Sequence, residues 1–132
     1  MRLEALMTTP VEVISPQASI RTAERRLRLK GIHHLLVVDH GGIVGLVTSD
    51  SLRERGANGA TCVEDAVIRN ISVLSPETTV SEAAALMMPG HSQTAVPLVR
   101  NNRLVGIVTV SDLLEMAGQL GEDAVPHPTR VT

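Results

Sequence analysis

The chain is written twice. Shifted by 60 positions, "LEALMTTPVEVISPQASIRTA" lies on "VEDAVIRNISVLSPETTVSEA", so that Glu4 falls on Glu64, Val13 on Val73, Ser15-Pro16 on Ser75-Pro76 and Ala23 on Ala83. One extra residue enters the second copy near "PGHSQ". At a shift of 61, Val38 then falls on Val99, Val44-Gly45 on Val105-Gly106, Val47-Thr48 on Val108-Thr109 and Leu52 on Leu113. Agreement on both sides of one insertion identifies a duplication. Each copy is too small to bury its own apolar face well, so the two are expected to pack together as a pseudo-symmetric pair rather than a solenoid.

Period and punctuation give each copy the order helix–strand–helix–strand–strand–helix, an α/β (α+β) pattern. Thr61-Cys62-Val63-Glu64 reads as a capping box opening a short helix. A brief strand follows, "VEVI" in the first copy and "ISVL" in the second, and Ser-Pro then turns the chain. The next helix is amphipathic. Its buried stripe is Ile20, Ala23 and Leu27 in the first copy, and Val80, Ala83, Ala84 and Met87 in the second. Thr79-Val80-Ser81-Glu82 reads as another capping box. Gly31 and Pro89-Gly90 end these helices. Two apolar β-branched runs around "HGG", and two more around "RNNR", carry the hairpin signature. A last helix closes each copy. This divides the chain into 1–58, 59–118 and a tail, 119–132, whose "QLGEDAVPHPTRVT" has two prolines and no apolar period and is expected to be disordered.

Composition excludes several functions. Among 132 residues, 43% are hydrophobic but none is Phe, Tyr or Trp, so no such ring can stack a base and a single-stranded nucleic-acid platform is not expected. A net charge of −2 with interspersed signs argues against a duplex-binding surface. No run approaches a membrane span or a secretory leader, so a soluble cytoplasmic protein without membrane contact is expected. Cys62 is the sole cysteine and reads as structural. There is no nucleophile–base pair in a supporting context, no phosphate-binding glycine loop and no metal motif, so no enzyme activity or metal is expected.

Several marks together resemble the cystathionine-β-synthase (CBS) domain family in its tandem form, over residues 1 to 118. They are Met7-Thr8, Ser15-Pro16, Ala23, the strands "HHLLVVD" and "AVPLV", and the closings "GLVTSDSL" and "GIVTVSDLL". Pro97 matches the family's proline, and Leu36 replaces it in the first copy. The resemblance implies two CBS motifs, each a short three-stranded sheet with flanking helices, packed sheet to sheet with two clefts between them. It also implies a regulatory module that binds an adenosine-containing ligand (AMP, ADP, ATP or S-adenosylmethionine) and signals through a homodimer or an effector protein. A ligand-free interaction scaffold with degenerate clefts is the alternative.

Site candidates follow residue by residue. Asp112, in the first turn of the last helix, is a bidentate acceptor suited to ribose hydroxyls. Thr109 and Ser111 lie beside it, where the helix start favours an anion. Thr and Asp are also ordinary first-turn residues. The first copy keeps Thr48 but has Ser51 in the acid's place, with Asp50 one residue early. A one-residue displacement turns a side chain by about 100°, so the first ribose site is expected to be weak or empty. His33 and His34 stand where the family places phosphate-facing basic residues, against Thr94 and Ala95 in the second copy. A composite site with Asp112, or a pair of ordinary surface histidines, are the two readings. Zinc at His33-His34 with His40 or His91 is weaker, because adjacent strand side chains point oppositely. An adenine pocket is expected from Ile71, Val73, Val96 and Pro97 in the second unit, and from Val11, Val13, Leu35 and Leu36 in the first. Arg21, Arg25 and Arg28 form a stripe on the first long helix, read as solvated rather than as a partner contact.

Overall fold

The computed structural model describes residues 1–87 and 93–120. The chain forms two compact units. The first is Pro10–Ser72; the second joins Met1–Thr9 to the chain from Val73 onward. The spatial units therefore do not follow the sequence repeats: the first nine residues of repeat one belong with repeat two, and the opening of repeat two belongs with repeat one.

In the first unit, β1 (Val13–Ile14) pairs in parallel with β2 (His34–Asp39), which pairs antiparallel with β3 (Gly42–Thr48). Helix α1 (Ile20–Lys30) starts at Ser19, whose hydroxyl accepts the Thr22 N–H at 2.9 Å. It ends at Gly31, where φ is +65°, a left-handed cap that glycine adopts without strain. The expected stripe of Ile20, Ala23 and Leu27 is buried. It packs with Leu35, Val37, Val47 and Leu52, the last from helix α2 (Ser49–Ala57). Alternation along β2 and β3 sends these residues to the helix side and Leu36 and Leu46 to the other.

The second unit repeats this plan with α3 (Val80–Leu86), β4 (Ala95–Arg100), β5 (Arg103–Thr109) and α4 (Val110–Leu120). Its core is Leu3, Ala83, Met87, Val96, Leu98 and Val108. Both hairpins turn on two residues in the left-handed region, His40-Gly41 and Asn101-Asn102, as the tight-turn reading expects. Both carry a register shift at the same place, Val37/Val38 and Leu98/Val99.

Three local expectations are corrected. "ISVL" forms no strand: only Leu74 bridges to Leu98, and this sheet has two strands. The cause is chemical. In the first unit the Leu36 N–H donates to Glu12 O at 3.1 Å; its counterpart Pro97 has no N–H to give, so the pairing is one bond shorter. Second, Val63–Ala66 is a 3-10 turn with no side-chain cap. The N–H groups a cap would serve are taken by backbone: Val63 donates to Ala18 O and Glu64 to Pro16 O, each at 2.9 Å. Third, at Thr79 only the Thr side-chain bond to the Glu82 N–H, 3.2 Å, is formed. The helix end expected at Pro89-Gly90, and residues 121–132 of the expected tail, lie outside the described residues; α4 itself runs to Leu120.

Each unit is completed by an arm from the other repeat. The 3-10 turn Leu3–Ala5 sits on the Ser75–Thr78 turn through Leu3 N–H to Thr78 O (2.9 Å) and Glu4 N–H to Pro76 O (3.0 Å). These bonds are the counterparts of those made by Val63 and Glu64. Thr8 then exchanges two backbone bonds with Ile107, and Ile68 two with Leu46. Val67 and Ile68 run so close to β3 that a Cβ on Gly45 would lie 2.2 Å from Ile68 O.

Gly45→Ala is therefore expected to lower stability by about 1–3 kcal/mol or more, the range for overpacking, in denaturant unfolding. Gly42→Ala, whose Cβ would meet only Asp39 O at 3.7 Å, should be near neutral; equal effects would refute the close approach. Residues 10–72 alone should unfold more cooperatively than residues 1–58, read by circular dichroism, because only the former contains both an arm and its seat.

Candidate functional site

Thr109 ends β5 and Asp112 lies in the first turn of α4. They bond reciprocally: the Thr109 N–H donates to Asp112 Oδ2 at 2.8 Å, and the Asp112 N–H to Thr109 Oγ1 at 3.2 Å. This satisfies two donors that a helix start would otherwise leave open. It also orients the carboxylate and leaves Oδ1 with no donor among the described residues. Ser111, beside them, is exposed.

The first unit builds the same cap with a different balance. The Thr48 N–H donates to Ser51 Oγ and the Ser51 N–H to Thr48 Oγ1, both at 2.9 Å. The Ser51 hydroxyl also donates to Thr48 O at 3.2 Å. Ser51 thus spends its one proton and a lone pair within the cap. Asp50 is exposed and pairs with Arg53 at 2.6 Å. As its displacement predicts, it takes no part in the cap.

His33 and His34 belong to the first unit, Thr109 and Asp112 to the second. His33 is exposed, its Nδ1 3.5 Å from Ser49 Oγ, beside a cavity of about 340 Å³ that Arg28 and Arg53 also line. His34 opens β2 opposite Thr48. No group of metal-ligating side chains occurs among the described residues, and His91 lies outside them. Arg21, Arg25 and Arg28 are exposed along α1. Cys62 precedes the 3-10 turn, and its thiol donates to Pro16 O at 3.0 Å.

The apolar candidates divide by strand parity. Leu35 and Val96 are core residues, fully buried on the helix side. Val13 shares a row with Leu36 and Leu46, and Pro97 pairs with Ile107, on the face away from that core. Val13 and Val73 remain 36% and 46% exposed, enough for a ligand to touch. Val11 and Ile71 are half-buried.

Two features escaped the sequence. Asp112 lines a cavity of about 210 Å³ with Ala5, Leu6, Glu115 and Met116. The wall made by Ala5 and Leu6 follows Glu4, which Arg100 holds at 2.9 Å while also binding Glu77 at 2.5 Å. The Ser75 hydroxyl, and then Arg100, lower the Glu77 carboxyl from 4.5 to about 2; the two acids raise Arg100 in turn. The Asp112–Glu115 spacing on one helix face was legible; the Glu4–Arg100–Glu77 cluster, spread across the chain, was not.

The CBS domain family matches the chain twice, at residues 3–58 and 63–118. The chain belongs to the CBS domain family. Among curated proteins it is similar to the CBS domain-containing protein YhcV of Bacillus subtilis, 30% identical over 81% of this chain and 79% of YhcV. It is also similar to a homoserine O-acetyltransferase of Methanococcoides burtonii, 34% identical over 86% of this chain but only 23% of that enzyme. The chain thus spans about a quarter of some relatives it matches. Among solved structures, the CBS domain pair of protein MJ0100, in complex with 5′-methylthioadenosine and S-adenosyl-L-methionine, superposes with a TM-score of 0.85 at 28% identity, covering 92% of this chain and 98% of that one. A putative acetoin utilization protein (AcuB) from Vibrio cholerae shares the fold, with a TM-score of 0.80 at 22% identity, over 96% and 98% of the two chains. No helix among the described residues is long and apolar enough to cross a membrane.

Because the folded carboxyl of Glu77 is lowered, its contribution to stability is full above pH 4.5 and fades as pH falls toward 2. The stability gap between the wild type and Glu77→Gln should therefore be widest at neutral pH and close across that window. A gap that persists unchanged at pH 2 would show that Glu77 acts otherwise than through its charge.

Proposed function

We propose that this CBS pair is a regulatory module that binds an adenosine-containing ligand at the β5–α4 junction. Asp112 accepts from the ribose hydroxyls and Thr109 lies at the ligand's 5′ side. The observation that carries this reading is the unspent Oδ1 of Asp112, held in place by a cap that consumes only Oδ2. The ligands of the MJ0100 pair, 5′-methylthioadenosine and S-adenosyl-L-methionine, support the adenosine part. Ser111 flanks the ribose, and Val73 and Pro97 offer the base an aliphatic surface. Ile71 belongs with the second-repeat candidates, and Val11, Val13, His33, His34 and Thr48 are the corresponding candidates of the first repeat. The module acts in the cytoplasm without catalysis. Its output is a change in a homodimer or in contact with an effector protein, which requires that the ligand bind two states unequally.

A second reading, a ligand-free scaffold, is favoured by one observation: Ser51 is consumed by its own cap. That applies to the first repeat, where Ser51 offers no carboxylate and has already given its one proton to the cap, and makes the two repeats unequal in binding.

Calorimetry on ligand-stripped protein with AMP, ADP, ATP, 5′-methylthioadenosine and S-adenosylmethionine separates the readings; no heat with any of them leaves the scaffold. Asp112→Ala should abolish binding while costing about 0.5–2 kcal/mol of stability through the cap. Ser51→Ala should cost comparable stability and leave affinity within about twofold, in keeping with a residue whose role is the cap. Equal losses of affinity would refute the inequality.

A further inference from the structure

We infer that Arg100 is a positioning residue for the Asp112 site: it holds Glu4, and through Glu4 the Ala5–Leu6 wall of the cavity that Asp112 lines. This rests on the adenosine reading above and deepens it. The cavity of about 210 Å³ has walls of two kinds. Asp112, Glu115 and Met116 come from α4, where the reciprocal bonds with Thr109 fix the helix start and Met116 is buried. Ala5 and Leu6 come from the arm, at the end of its 3-10 turn. Their N–H groups bond within the arm, Ala5 to Arg2 O at 3.1 Å and Leu6 to Leu3 O at 2.9 Å. The place of this wall is therefore set by what holds the residues on either side. Leu3 and Glu4 are seated through backbone on the Ser75–Thr78 turn, and Thr8 on Ile107. Arg100 adds a side-chain tie immediately before the wall: its Nη2 donates to Glu4 Oε2 at 2.9 Å.

That tie holds a direction. Arg100 ends β4, at the tight hairpin. Its Nε and Nη2 both donate to Glu77 Oε1, at 2.9 and 2.5 Å, and the Ser75 hydroxyl donates to Glu77 in turn. A planar guanidinium gripped in this way presents Nη2 to Glu4 along one line, which a lysine ammonium does not reproduce. The Glu4, Arg100 and Glu77 side chains are 41%, 41% and 45% exposed, and pairs so exposed add little to stability. What they add is position. A group held by Asp112 meets Ala5 and Leu6 whichever way the rest of the ligand runs, because all three line one small cavity. The first repeat has Asp39 and Gln17 at the places of Arg100 and Glu77, and it is also the repeat with Ser51 at the place of Asp112. Clamp and carboxylate occur together in one unit.

The test is calorimetry with AMP and 5′-methylthioadenosine at low ionic strength, on wild type, Arg100→Met, Glu4→Gln and Arg103→Met. Arg100→Met should weaken whichever compound the wild type binds by about three- to tenfold, the scale on which a residue without ligand contact tunes a site. Glu4→Gln should weaken it in the same direction. The double variant should lose no more than Arg100→Met alone, since both remove one tie. Arg103→Met removes the same charge from the exposed start of β5 and should leave affinity within about twofold. Melting temperatures show that each variant is folded; should Arg100→Met unfold, Glu4→Gln carries the same test. Hydrogen exchange gives a second readout. The Leu6 and Met7 N–H groups, both donating to Leu3 O at 2.9 Å, should exchange more slowly when ligand binds the wild type, and the slowing should shrink in Arg100→Met. Unchanged affinity in Arg100→Met, an equal loss in Arg103→Met, or exchange at Leu6 and Met7 that ligand does not slow overturns the positioning role and leaves the adenosine reading standing. Binding of neither compound to the wild type overturns that reading, and this role with it.

Discussion

Seating of a single 3-10 turn on a Ser-Pro turn is the interaction on which each unit depends. Leu3 and Glu4 on the Ser75–Thr78 turn, and Val63 and Glu64 on the Ser15–Ala18 turn, make the same pair of backbone bonds. Each turn drops a large side chain, Leu3 or Val63, fully into the core below, and the second turn adds Ala66. Without that side chain the core would open on the side where the helix begins. Val80 and Ile20, at the starts of α3 and α1, also give their N–H groups to these arms, at Met1 O and Thr61 O. The arm therefore serves as lid to the core and as cap to the helix.

The two units reach this shared geometry with different chemistry on top. In the second, Arg100 clamps Glu4 and Glu77; in the first, Asp39 occupies the place of Arg100 and Gln17 that of Glu77. At the helix starts, Asp112 and Ser51 make equivalent caps but leave different groups over. The fold tolerates either residue because the cap asks only for one acceptor. Only the aspartate has a second oxygen left over.

Repeat, punctuation and helix stripes were legible because each rests on local rules. Ser19, Gly31 and the His40-Gly41 and Asn101-Asn102 turns obey backbone sterics that a short window reveals. Asp50 was legible as displaced for the same reason. The third strand of the second sheet was not, although Pro97 was in plain view: its missing N–H matters only once the partner is known to be the segment near Ser72. Leu35 and Val96 are expected in a pocket as members of the apolar strands beside it, yet both are fully buried in the cores. Only the pairing register reveals which parity faces the helices. The boundary between units was hidden most deeply, since a repeat in sequence need not be a unit in space.

That last feature has a consequence for what half of this molecule would be. A chain holding one repeat would own an arm with no seat and a seat with no arm. Two such chains could satisfy each other only by trading arms, each completing the other's core. The tandem chain is the covalently closed form of that trade, with the Asn58–Gly59 connection standing in for a collision between two molecules. Joining the halves in one chain also frees them to diverge, so that one keeps a carboxylate oxygen unspent while the other gives its hydroxyl to a cap.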